Sequence, residues 1–185
     1  MELIQFVLKK LNKNHDPVKR ARYVHRLIDE LNEYIFNDEN IKALIPCTSG
    51  CSACCHTQVS VTSDEADLLA SRINEGIEIN LDNLRVQMAT KNSSAAWYAL
   101  SFKERQCVLL TSDGQCSVYE DRPGVCRTNA VLGDASQCDT TNGVQSQRLI
   151  KTPEADLAIY ASYLYAPEGG TLPYMLAKSL KLTDS

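Results

Sequence analysis

The segment from Cys47 to His56 reads CTSGCSACCH, which places four of the chain's eight cysteines within nine residues. A fold must give these thiols an environment, and few environments suit so many together. Free cysteine is a small hydrophobe that favours the interior, yet these four sit among Ser, Thr and Gly, the composition of a loop rather than a core. Adjacent Cys54 and Cys55 would strain any bond to each other. Eight cysteines in 185 residues also fall below the ~8–10% density of disulfide-stapled scaffolds.

Compartment sharpens the reading. The N-terminal MELIQFVLKKLNKNHD has no basic residue ahead of its apolar patch and no small-residue cleavage site after it, so it reads as a first helix rather than a secretory leader. No apolar run approaches the ~18 residues that cross a bilayer. The chain is therefore expected to be cytoplasmic, where thiols stay reduced. A net charge of −4 and a pI near 5.4 argue against nucleic acid or an anionic membrane as a partner. A protein or small-molecule partner of unknown identity remains.

Reduced, clustered thiols point to metal. The spacing is Cys47-x3-Cys51-x2-Cys54-Cys55, followed by Cys107, Cys116, Cys126 and Cys138. A Cys-x2-Cys step lets two thiolates face one ion from a tight turn, which Gly50, Ser52 and Ala53 leave open. The x3-x2 spacing also suits three corners of an iron–sulfur cluster. Thiolates select zinc, copper(I) or iron–sulfur over magnesium or calcium. Cys47, Cys51, Cys54, Cys55, Cys107, Cys116 and Cys126 are the predicted ligands. Cys138, alone in a polar loop, reads equally as a ligand or a buried thiol. Seven or eight thiols exceed the four that close a structural zinc site, so the reading favours an iron–sulfur cluster or iron, with zinc as the alternative.

The neighbours of these cysteines are expected in supporting roles. His56 follows the vicinal pair and is expected beside the centre rather than as a ligand. Arg122 and Arg127 bracket Cys126 and are expected behind the ligands, offsetting thiolate charge. The alternatives are that one of them clamps a carboxylate or phosphate of a substrate, or that they pair with Glu120 or Asp121. Tyr119 is expected on a buried face, and His15 and His25 in surface or capping roles.

The rest of the chain predicts a mainly α fold with a small β-hairpin, one compact domain (1–185) around a cysteine-ligated centre. Helical flanks at 1–46 and 150–185 enclose a metal-binding core at 47–127. A helix is predicted over 2–13. A longer one, capped by Asp16 with Pro17 at its first position, runs to Phe36. Its stripe Val18, Ala21, Val24, Leu27, Ile28, Leu31 and Ile35 has helical period. Gln58–Thr62 alternates like a short strand. Thr62 and Glu65 then form a capping box before an apolar helix, and Asn80 opens a further helix over 80–92. The run CVLLTSDGQCSVY (107–119) predicts a hairpin turning at Ser112-Asp113-Gly114. Residues 128–152 read as irregular loop, Pro153 starts a helix, and 172–180 is a last short one.

CTSGCSACCH, a following strand and helix, then Cys107 and CSVYEDRPGVCR (116–127) together resemble the CxxCxxCC cysteine-cluster family, over residues 47–127. The resemblance implies a zinc- or iron-chelating domain, and flagellin lysine N-methylases carry a related cluster. Tyr119, Arg122, Pro123, Cys126 and Arg127 fall where the family pattern has them. Cys47 departs from it, standing three residues rather than two before Cys51. The x3-x2 spacing also equals the radical S-adenosylmethionine signature, but this chain lacks the strands and length of that barrel.

No phosphate loop, nucleophile elbow or HExxH is present, so no catalytic residue is assigned and enzyme activity is left open. The expectation is a metal centre put to redox or catalytic use. The alternatives are a zinc-stabilised interaction module and a metal-handling protein.

Overall fold

The helix with the clearest boundaries in the sequence organises the molecule. In the computed structural model, which describes residues 2–47, 50–142 and 152–182, α2 spans Pro17–Phe36. The Asp16 carboxylate accepts from the Val18 and Lys19 amides at 2.9 and 3.3 Å, satisfying donors that a helix start leaves unpaired. Pro17 occupies the first turn, where its missing N–H costs nothing. Around α2 stand α1 (Glu2–Leu11), α4 (Ser63–Asn74) and α8 (Pro153–Tyr165).

The remaining elements are shorter. They are α3 (Glu39–Lys42), β1 (Ser60–Thr62), α5 (Leu81–Met88), α6 (Ser94–Ala99), α7 (Gly124–Arg127), β2 (Gly169–Thr171) and α9 (Leu172–Ser179). Three 3-10 turns, Ala53–His56, Tyr119–Asp121 and Ala135–Cys138, punctuate the loops. The molecule is mainly helical with one small antiparallel β element. Among the described residues no helix is long and apolar enough to cross a membrane.

Among the described residues, two large apolar cores and a small cluster around Ile35 and Ala130 result. Val7, Leu11, Val24, Ile28, Ala155, Ala158 and Ala161 join α1, α2 and α8. Val61, Leu69, Leu84, Val108, Leu109, Val118, Met175 and Leu176 join α4, α5 and α9 to the loops around residue 110. Each fully buried Leu, Ile or Met side chain contributes about 1.5–3 kcal/mol. Cys107 and Cys116 pack against the second core, so the thiol-bearing loops rest on a rigid floor.

The β elements depart from expectation in place. β1 forms within the predicted strand, but its partner is β2, with Ser60 opposite Thr171 and Thr62 opposite Gly169. The predicted hairpin at 107–119 is reduced to its turn. Leu110 and Cys116 form a single bridge, flanked by Thr111 N–H to Gln115 O and Ser117 N–H to Leu109 O, both at 2.9 Å. The reason is local: the first arm is drawn into a turn, with the Leu110 amide donating to Cys107 O at 3.1 Å. α3 and α6 arise in polar stretches, and Ser93 caps α6 by accepting from the Ala96 amide at 3.2 Å. Of the loop read over 128–152, residues 143–151 lie outside the described part.

One buried carboxylate ties the two cores to the Arg-Pro turn. Glu65 Oε2 accepts from the Thr62 amide at 2.9 Å and closes the capping box. Its Oε1 accepts from the Gly124 amide at 2.8 Å and meets His25 Nε2 at 3.1 Å. His25, expected at the surface, is therefore buried inside α2's packed face. Burial opposes ionisation of Glu65, but the His25 contact and the Gly124 and Thr62 amides outweigh it and hold its pKa below the usual carboxylate range. Gly124 must be small: a Cβ there would lie 2.9 Å from Ile28 Cδ1 and 3.3 Å from Ile159 Cγ1.

Candidate metal centre

The cysteine loops are assembled by backbone contacts. Cys54 and Cys55 lie in the Ala53–His56 turn, whose chain reverses through Cys55 N–H to Ser52 O at 2.9 Å and Thr57 N–H to Cys54 O at 3.1 Å. Gly50 supplies a φ of +83°, open to glycine and strained for most other residues. The Cys107 amide donates to the Cys55 carbonyl at 2.8 Å, joining segments 52 residues apart in sequence. Gly114, at the tip of the short hairpin, sits against Gly50. Cys126 is brought in by α7, which Glu65 holds through the Gly124 amide.

All eight cysteines line one cavity of about 1490 Å³. None forms a disulfide; Cys47 is exposed, Cys138 is buried, and the other six are half-buried. Cys138, left open from the sequence, enters through the Ala135–Cys138 turn, which packs on the Ala53–His56 turn. That segment is anchored by the buried Arg105, whose Nη2 donates to Thr140 O at 2.7 Å. Among the described residues no three His, Cys, Asp or Glu side chains already stand together in ion-binding geometry. The thiols ring the cavity without closing on a point.

Burial is the first influence on most of their acidities, and neighbouring thiols add to it. The Cys55 thiol donates to Cys54 and, against the opposing effect of burial and with help from the Asn129 side chain, brings Cys54 down to about 6. Cys55 is pushed up by the same contact and by burial. Burial raises Cys107 to about 12, with Cys116 and Cys54 adding to it. It raises Cys126 well above the thiol range, with Cys107, Cys54 and Cys116 beside it. Cys138 reaches about 11, through burial first and then Cys54, Cys47 and Cys51. Cys47 and Cys116 are raised by burial as well. A bound cation would stabilise thiolates that otherwise oppose one another's ionisation. Soft donors in this number fit zinc or iron.

The two arginines differ. Both line the cavity. Arg127 is buried and committed: its Nη1 meets Asp29 Oδ2 at 2.5 Å, its Nε donates to Arg122 O at 2.9 Å, and its Nη2 donates to Glu120 O. Arg122 lies over the Tyr119 ring, 3.9 Å from its centroid, and donates to Tyr119 O at 3.1 Å. Tyr119 is 59% exposed, not buried as expected. Neither arginine has the anticipated pairing with Asp121, which meets Arg22 and Arg72. His56 stacks on Phe102 at 3.9 Å between centroids and does not line the cavity.

A helical scaffold with all its thiols around one cavity defines a cysteine-cluster chelating domain. The chain belongs to the CxxCxxCC family, described as "Putative zinc- or iron-chelating domain", whose family model matches residues 46–148. The match runs past Cys126 to take in Cys138. No curated protein and no solved structure matches the chain.

Proposed function

We propose that the cavity holds a polynuclear centre, iron–sulfur in preference to zinc, ligated by Cys47, Cys51, Cys54, Cys55, Cys107, Cys116 and Cys126 with Cys138 as an eighth thiol. The observation that carries this is the convergence of eight thiols on one cavity, twice what a single closed zinc site takes. Such a cluster supplies one-electron transfer when bound; zinc would supply charge neutralisation and folding free energy. Cys54 is the thiol held ready as thiolate, Asn129 donates to it, and Arg122 and Arg127 reduce the anionic charge felt by Cys116. Metal counting on protein purified without air tests the reading. Iron with acid-labile sulfide and a brown colour supports it, and a colourless protein with one zinc per chain rejects it.

A second reading, transfer of metal to a client, draws on the exposure of Cys47 at the cavity's edge. It requires exchange with a calibrated chelator within minutes, which a sealed site would resist.

A further inference from the structure

Arg127 faces two cavities. Behind the thiol cavity, α1, α2 and the Tyr119–Asp121 turn line a second, half-open one of about 520 Å³, a volume usual for small-molecule sites. Its wall carries Lys10, Lys19, Arg20, Arg22, Arg26 and Arg127 against three carboxylates, in a chain whose net charge is −4. The cations fall into two sets. Arg20 is fixed by Asp64 through Nε and Nη2 at 2.7 and 2.6 Å. Arg22 is held by Asp121 at 3.3 Å, and Arg127 by Asp29. These three form an anchored back wall.

Of the wall's carboxylates Asp29, Glu120 and Asp121, Glu120 is left to face the other three cations, which are therefore only partly neutralised. Among the described residues Lys19 reaches only Asp16, at 3.9 Å and in solvent, a pairing of little worth. Lys10 lies 5.3 Å from the centre of the Phe6 ring, and among the described residues neither it nor Arg26 makes a salt bridge. Lys19 and Arg26 stand two helical turns apart on α2, so they share a face. Like charges gathered at one cavity repel, and an anion that met all of them would relieve this. Asn14 and Tyr23 add neutral hydrogen-bonding groups to the lining.

We infer that this cavity binds a small molecule through a phosphate group, whose several oxygens can engage a guanidinium fork and two ammonium groups together. The site shares Asp29 and Arg127 with the thiol cavity but is lined by no cysteine, so it does not depend on which metal the thiols hold. The test is calorimetric titration of the full chain with inorganic phosphate at low salt, beside two variants of equal charge. Lys19→Gln with Arg26→Gln removes two of the lining cations. Arg85→Gln with Lys103→Gln removes two exposed cations that do not line the cavity.

The expected result is saturable one-to-one binding to the native chain, weakened about tenfold or more in the first variant and unchanged in the second. Absence of saturable binding, or equal loss in both variants, overturns the site. Succinate, titrated in parallel, supplies two charges without phosphoryl oxygens. Weaker binding of succinate supports the phosphate assignment, and equal or tighter binding overturns it.

Discussion

Glu65 shows how much one side chain can decide. It is buried, and its two oxygens serve the Thr62 amide, the Gly124 amide and His25 Nε2. Removing a partner from a buried network leaves the others unsatisfied at about 1–3 kcal/mol each. Because its folded pKa lies below the unfolded value, its contribution to stability is fully present above the unfolded carboxyl value of about 4.3. It is lost as pH falls from there through the folded value. Urea midpoints measured down through that range should therefore decline in the native chain. Glu65→Gln should be less stable near neutrality, because its amide cannot accept at every contact, and should show a shallower decline in acid. An unchanged slope in the variant would remove Glu65 as the group responsible.

At the level of elements, α7 joins α2 closely at Gly124. Gly124→Ala places a methyl 2.9 Å from Ile28 Cδ1, and Ile28 is fully buried in the α1–α2–α8 core. Overpacking of this kind costs about 1–3 kcal/mol. Ile28→Val alone should cost about 0.5–1.5 kcal/mol, but in the Gly124→Ala background it removes the obstructing atom. The double variant should therefore be more stable than the sum of the single effects, as read from denaturation midpoints; additivity would mean the two do not touch. This contact also marks what the sequence could and could not reveal. Starts of helices were legible: Asp16 with Pro17, Thr62 with Glu65, and Asn80 all cap as their types predict, because capping involves residues two or three apart. The cluster was legible through cysteine number and spacing. Pairings between distant segments were not, including β1 with β2, His25 with Glu65 and Arg127 with Asp29. No local pattern encodes a partner 40 or 98 residues away. Cys138 stayed ambiguous for the same reason, since its place depends on one turn packing against another far upstream.

Across the whole molecule, the two apolar cores and the thiol cavity need not stand or fall together. Small metal domains that lack a core are unfolded without their ion. Here α1, α2 and α8 bury Val7, Leu11, Val24 and Ile28 among alanines without any cysteine, whereas the loops carrying the thiols rest on the other core at its edge. Those loops have few regular backbone hydrogen bonds, and in the metal-free state their thiols are mutually unfavourable as anions. Chelation should therefore loosen the loops and spare the helical core. Hydrogen exchange followed by mass spectrometry, with metal and after chelation, can read this directly. Peptides covering 50–57 and 107–127 should lose protection, while those from α2 and α8 keep most of theirs. Parallel loss in α2 and α8 would mean that the centre supports the entire fold. No change in the loops would mean that the thiols were not holding a metal at all, and the chemical reading of the cavity would fall with it.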